Sequence, residues 1–145
     1  MAGVLWSATR GPVSPPQSQA VDGFYGWETA EDGRKFRWTE QFASIIVPND
    51  VERIRIPMRV PTDRPAIAPM AVEVSTGGAK PTRTLVNGSW SVLDVPIGAI
   101  DPLMHVKRVN LKVDRTWQPA LYIAGDPDMR RVGIQVGEYE LVRAR

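Results

Sequence analysis

The sequence contains no cysteine and a single histidine, His105. Without cysteine the chain can form neither a disulfide nor a thiolate metal site. One histidine is too few for an ordinary zinc site, which needs several His or Cys ligands. Neither sign of charge predominates, because 18 basic and 16 acidic residues leave a formal net charge of only +2. A balance this even does not indicate nucleic acid as a partner.

Long apolar runs and helical stripes are absent too. The longest apolar runs, such as residues 43–47, are far shorter than the roughly 20 residues that span a bilayer. No transmembrane segment is therefore predicted in this chain. The 13 prolines argue against long helices, because proline removes a backbone donor and clashes with the preceding turn.

What the sequence does contain is an alternation of apolar and charged residues. In segment 51–60, Ile54, Ile56 and Met58 alternate with Arg53 and Arg55. Successive side chains on a strand point to opposite faces, so this period predicts half-buried β-strands. The same alternation returns at 109–113 and 132–136. We predict an all-β fold, an antiparallel, jelly-roll-like β-sandwich with about seven or eight strands.

The domain organisation follows from a change of composition near residue 21. Residues 7–20 are rich in Pro, Ser and Gln and cannot bury enough apolar surface to fold alone. We predict that 1–20 form an extended Pro/Ser-rich arm or linker and that 21–145 form the sandwich. Within it, Asn87-Gly88 is the strongest hairpin signal. A phase slip near Gly137 in the last strand, 132–141, predicts a β-bulge.

Aromatic residues are the first candidates for function. Tyr25, Trp27 and Trp117 lie in segments flanked by Gly or Pro, and flat rings in loops can stack on the apolar faces of sugars. The alternative is that the rings fill the core, since aromatic side chains bury large areas. That alternative is favoured for Trp38 and Trp90, which lie in or beside alternating strands.

Charged residues lie beside those rings. Glu28, Asp32 and Arg130 are predicted to supply polar contacts to a ligand at the rim of the rings. Paired carboxylates such as Glu28 and Glu31 can also act as acid and base in glycoside hydrolysis. That chemistry needs two carboxylates facing each other across a cleft, which nothing in the sequence indicates. Solvated turn charges are favoured, and no enzymatic activity is predicted.

Aspartates near residue 126 raise the question of a metal. Asp126 and Asp128, together with Asp114, can supply oxygen ligands to a structural calcium ion. Aspartate at alternate positions of a turn is also common turn chemistry. Arg130 can bind an anionic ligand, or it can pair with one of these aspartates, and the internal pair is favoured.

Five segments together resemble a known family. They are 23–28 (GFYGWE), 36–39 (FRWT), 87–90 (NGSW), 116–119 (TWQP) and 125–134 (GDPDMRRVGI). The pattern resembles the small β-sandwich domains attached to bacterial glycosyltransferases and polysaccharide-assembly proteins, over about residues 22–142. Val132 stands where that family has Leu. The resemblance implies a jelly-roll fold like that of carbohydrate-binding modules, no catalysis, and Arg37 either stacked or paired with Glu28.

The function predicted from these observations is a non-catalytic carbohydrate-binding or accessory module. The resemblance links it to bacterial cell-surface polysaccharide synthesis and to the cell envelope, as part of a larger protein. The alternative is a protein-interaction or assembly module that docks through a sheet edge or through the N-terminal arm. The predicted partner is accordingly a glycan or a protein.

Overall fold

The computed structural model describes residues 21–76, 80–98, 103 and 105–143. Within these residues the chain forms nine strands and one short 3-10 turn. The elements are β1 (Val21–Thr29), β2 (Lys35–Pro48), β3 (Val51–Arg59), β4 (Met70–Ser75), β5 (Thr82–Val86), β6 (Ser91–Pro96), β7 (Val106–Val113), the turn Pro119–Leu121, β8 (Gln135–Gly137) and β9 (Glu140–Arg143). The all-β prediction is confirmed. In this part of the chain no helix is long or apolar enough to cross a membrane. The predicted arm, 1–20, lies outside the described residues.

Two long strands, β2 and β3, organise the sheet. β2 pairs with β1 along one edge, and along the other it pairs with β7 and then β8. β3 likewise pairs with β6 along one edge and with β9 and β8 along the other. The short strand β8 therefore joins a five-stranded half (β5, β4, β7, β2, β1) to a three-stranded half (β6, β3, β9). The antiparallel sheet curls on itself, and the predicted β-sandwich is confirmed.

The core lies between the two halves and consists largely of aliphatic side chains. Ile54, Ile56 and Met58 of β3 are fully buried, as the alternation predicted. Val109 and Leu111 face them from the five-stranded half and are also buried. Burial of this apolar surface is the main force that holds the two halves together.

A bulge interrupts the pairing of β1 with β2. Asp22 pairs with Ser44 and Phe24 pairs with Thr39. The pairing therefore advances by two residues along β1 and by five residues along β2. Gly23 sits at the interruption with a φ of +75°, and a Cβ there would overlap the carbonyl oxygen of Phe42. Phe42 lies in this interrupted stretch of β2, and its side chain points away from the core and is 62% exposed.

Two local predictions need correction. The Asn87-Gly88 hairpin is wrong, because β5 pairs with β4 and β6 pairs with β3, at opposite ends of the strand order. The Asn87 carbonyl instead accepts a hydrogen bond from Val60 N at 2.8 Å, so this turn starts a crossover. The single last strand is also divided. Val132 forms an isolated bridge with Trp117, β8 ends at Gly137, and β9 starts at Glu140.

Candidate functional site

Four of the predicted site residues meet in one network: Tyr25, Glu28 and Arg130 of the predicted ligand site and Asp128 of the predicted metal site. Arg130 Nη2 donates to Glu28 Oε2 at 2.9 Å, and its guanidinium carbon lies 4.9 Å from the centroid of the Tyr25 ring. The same guanidinium binds Asp128 through Nε at 3.0 Å and Nη2 at 2.7 Å. The favoured internal pair of Arg130 is therefore observed. The hydroxyl of Tyr25 donates to the backbone oxygen of Arg131 at 2.9 Å, which ties β1 to the loop before β8.

The electrostatics of this network follow from its hydrogen bonds. The hydrogen bond from Arg130 lowers the pKa of Asp128, and the bond to Asp128 raises the pKa of Arg130. Charge-assisted bonds of this kind are stronger than neutral ones and fix geometry. Arg130 nevertheless keeps 39% of its side chain exposed. Among the described residues its Nη1 has no hydrogen-bond partner, so one donor faces outward.

Arg37 extends the network to Trp27. Its guanidinium carbon lies 5.1 Å from the centroid of the Trp27 ring and 5.2 Å from that of Phe24. Arg37 Nε donates to the Tyr25 backbone oxygen at 3.1 Å, while neither Nη atom has a partner within the described chain. Burial lowers the pKa of this guanidinium. Of the two expectations for Arg37, stacking is observed, and Glu28 pairs with Arg130 instead.

We call this set of side chains the β1 rim. It consists of Tyr25, Trp27, Glu28, Arg37, Asp128 and Arg130. Arg37 was not assigned to the site from the sequence. The feature that identifies Arg37 is the strand register, which makes it the cross-strand partner of Trp27 in the pairing of β2 with β1.

A buried hydroxyl lies near the rim. Tyr139 is only 3% exposed, and its hydroxyl has no hydrogen-bond partner among the described residues. Burial raises the pKa of Tyr139, and the nearby positive charge of Arg37 partly opposes that rise. An unpaired buried hydroxyl costs free energy, and because its oxygen is enclosed by the protein it is not part of the exposed rim.

Trp117 does not belong to the rim, and its predicted role as a surface ring is wrong. Its side chain is 3% exposed, and its Nε1 donates to Gly133 O at 2.8 Å. The ring packs edge-on against Trp38 and Tyr122, with centroids 5.8 and 6.1 Å away. Both of its faces are occupied by the protein. Trp38 is buried as predicted.

Asp32 also lies apart from the rim. Its Oδ1 accepts a hydrogen bond from Arg34 N at 2.9 Å, which closes the turn between β1 and β2. No contact joins it to the rim within the described residues, so the structure does not bring it together with Tyr25 or Arg130. The neighbouring Glu31 accepts two bonds of 2.8 Å from Arg59. The favoured turn role therefore holds for Asp32.

Trp90 is the remaining ring of note. It is half-buried, and the guanidinium carbons of Arg34 and Arg59 lie 4.9 and 4.8 Å from its centroid. Arg59 is itself buried and binds Gln135 Oε1 through Nε at 2.7 Å. The favoured core role of Trp90 is thus observed only in part, since arginine side chains cover the ring.

The structure lends no support to the predicted calcium site. Asp126 Oδ1 accepts from Asp128 N at 2.9 Å, and both oxygens of Asp128 bind Arg130. Asp114 pairs with Arg115 at 2.7 Å. In the described part of the chain no group of three or more His, Asp or Glu side chains could hold a metal ion. These carboxylates serve turns and ion pairs.

Comparison with known proteins gives similarity of fold only. No protein-family model matches the chain, and no curated protein matches it. An acetyl xylan esterase from the rumen bacterium Butyrivibrio proteoclasticus aligns with a TM-score of 0.45 and 15% identity, over 92% of this chain and 34% of that chain. CBM51 from Clostridium perfringens GH95, solved in complex with methyl-galactose, aligns with a TM-score of 0.47 and 15% identity, over 91% and 99% of the two chains. At these values neither likeness bears on what this chain binds.

Proposed function

We propose that this chain is a non-catalytic carbohydrate-binding module and that the β1 rim contacts the glycan. The observation that supports this most directly is Arg37, whose guanidinium lies against the rings of Trp27 and Phe24. Its two terminal nitrogens have no partner among the described residues. A stacked guanidinium with free donors beside a half-buried indole suits a sugar, which offers an apolar ring face and hydroxyl acceptors.

Glu28 and Arg130 would contact the sugar around the edge of the sheet, because Glu28 follows Trp27 directly in strand β1 and points to the other face. Arg130 keeps one outward donor, and Glu28 at its side is an acceptor for hydroxyl groups. Because Asp128 and Glu28 hold Arg130 in place, little side-chain entropy would be lost on binding. Contacts of this number favour weak binding, with millimolar to micromolar dissociation constants worth about 4–8 kcal/mol.

The experiment is a screen of the full chain against a broad glycan array, followed by titration of each positive glycan with tryptophan fluorescence as the readout. We expect Trp27→Ala to weaken binding about tenfold or more. Arg37→Met should weaken it comparably, whereas Val92→Ala, an exposed site in the three-stranded half, should not. The proposal is rejected if no glycan binds, or if neither rim variant changes the affinity of those that do.

The link to bacterial cell-surface polysaccharide synthesis stays a prediction from the resemblance. If it is right, the positive glycans of the array should include bacterial surface polysaccharides. Binding restricted to plant or animal glycans would contradict it without affecting the module itself.

A second candidate is an assembly module, and the strand order gives it some support. β5 and β6 end the main path of the sheet, and each exposes a large aliphatic side chain, Leu85 at 54% and Val92 at 60%. Exposed edges can pair with another chain. Light scattering after size-exclusion chromatography tests self-association, and a monomer at all concentrations counts against it.

A further inference from the structure

The outer face of the five-stranded half carries an unassigned row of side chains. The strand register places Phe42 beside Lys112, Lys112 beside Glu73, and Glu73 beside Arg83, across β2, β7, β4 and β5. The register fixes these neighbours on one face, because directly paired residues point to the same side of a sheet. Phe42 is the aromatic end of the row, and its ring is largely exposed.

Two hollows flank this row, each with a volume of about 280 Å³. One lies toward a second polar row, in which Ser44 Oγ donates to Asn110 Oδ1 at 2.8 Å. The other lies toward Gln41 and Asp114. Glu73 and Lys112 line both hollows. We call the two hollows together the sheet-face trough.

The charges of the trough are not paired with one another. Glu73 lies between two cationic cross-strand neighbours, yet no ion pair within 4 Å joins it to either among the described residues. Lys112 Nζ lies instead 5.9 Å from the centroid of the Phe42 ring. Glu73 and Lys112 therefore present an acceptor and a donor to solvent, and no ion pair or hydrogen bond joins either to another described residue.

From this arrangement we infer that the sheet-face trough is a second binding site, which takes a linear, uncharged oligosaccharide. The inference rests on the proposed function and adds a site and a ligand class to it. Two adjacent hollows with a shared wall suit two successive sugar units. The rows that bound them are two residues apart along each strand, which is about 7 Å.

Other occupants fit the trough less well. An anion such as phosphate would meet the carboxylates of Glu73 and Asp114 as well as the cations of Arg83 and Lys112, so the trough offers it no net positive charge. The core of a protein interface is depleted of Lys, Glu and Ser, and the trough has four such residues in its lining, Ser44, Glu73, Ser75 and Lys112. A chain of hydroxyl groups uses both the donors and the acceptors, and the Phe42 ring supplies an apolar platform for a sugar face.

The experiment follows backbone amide shifts of the full chain in NMR titrations. The probes are cellohexaose, xylohexaose, mannohexaose and maltohexaose, each compared with the methyl glycoside of its sugar, up to about 10 mM. We expect at least one hexasaccharide to shift amides at 42–44, 73–75 and 110–112, with an affinity about tenfold above that of its methyl glycoside. Phe42→Ala should weaken that binding about tenfold, while Val92→Ala leaves it unchanged.

The outcomes separate this inference from the proposed function. If the shifts appear only at the β1 rim, 24–28 and 130, and Trp27→Ala alone weakens binding, the trough is rejected and the rim proposal stands. If the shifts map to the trough and Phe42→Ala alone weakens binding, the trough is supported, and the rim is judged by the glycan array. If no hexasaccharide shifts any amide, the trough is rejected, while the rim is still judged by the glycan array. Equal binding of a hexasaccharide and its methyl glycoside also contradicts a site for two sugar units.

Discussion

The β1 rim and the sheet-face trough use the same kinds of residue in opposite ways. In the rim, Arg130 is held by Glu28 and Asp128, so its charge is compensated inside the protein. In the trough, Glu73 and Lys112 are neighbours across two strands without forming an ion pair in the described structure. The rim network is part of what joins β1 to the loop before β8, whereas the trough adds little to the fold. The difference teaches that residue type alone does not identify a site, because the same kinds of residue hold the fold together in one region and remain exposed to solvent in the other.

The largest effect on stability is expected at Trp117, which the sequence predicts as a surface ring and the structure buries beside neither region. Trp117→Ala removes a ring packed between Trp38 and Tyr122 and the donor that bonds to Gly133 O. Replacement of a buried aromatic residue by alanine costs about 3–5 kcal/mol. We expect that loss in the free energy of unfolding, measured with urea. A folded variant of normal stability that had lost glycan binding would restore Trp117 to the site.

The bulge beside Phe42 gives the next largest effect. Gly23→Ala places a Cβ against the Phe42 carbonyl and forces a residue with a side chain into a positive φ. Strain of this kind costs about 1–3 kcal/mol, and we expect that loss in urea unfolding. Gly26→Ala is the matched control in the same strand, because a Cβ there meets no atom within 4 Å. Equal effects of the two substitutions would contradict the account of the bulge.

The contribution of the rim network to the free energy of unfolding should depend on pH. Arg130→Met leaves two carboxylates without their cation, and we expect a loss of about 1–2 kcal/mol near neutral pH, since the pair is partly exposed. The pKa of Asp128 is lower in the folded state than its ordinary 3.8. The stabilisation is therefore present above that pH and is lost as the pH falls through the lowered pKa.

Urea unfolding of the wild type and of Arg130→Met, at neutral pH and at about pH 2, measures how the difference in their stability depends on pH. The gap between wild type and Arg130→Met should shrink in acid. Arg130→Lys, which keeps the charge but not the planar fork, should recover only part of the stability. A gap that is the same at both pH values would show that Arg130 stabilises the rim by packing alone.

The sequence predicted the fold better than the site, for physical reasons. The alternation around Ile54 and Ile56 reports burial directly, because one face of a strand must enter the core. The hairpin prediction at Asn87-Gly88 failed because a turn signal indicates where the chain changes direction but not which strand the next segment pairs with. The prediction of Trp117 as a surface ring failed because an aromatic side chain in a loop can pack into the core. Arg37 was missed because its role depends on its cross-strand partner Trp27. The trough was not predicted, since only the register places Phe42, Lys112 and Glu73 in one row.

The smallest effect on stability is expected at Phe42, where the comparison is sharpest. The ring is 62% exposed, so Phe42→Ala removes little buried surface and should change the free energy of unfolding by no more than about 0.5 kcal/mol. The ring contributes little to folding and lies beside Lys112 and Glu73, which are not paired with each other, so it is open to contact by a ligand. Urea unfolding of Phe42→Ala measures this change in stability. Val92→Ala is the control, because Val92 is 60% exposed and lies in the three-stranded half. Because both side chains are exposed to a similar degree, both variants should match the wild type in stability. A loss of stability above about 1 kcal/mol at Phe42 alone would mean that the ring supports the bulge, and the trough would lose its aromatic platform as evidence.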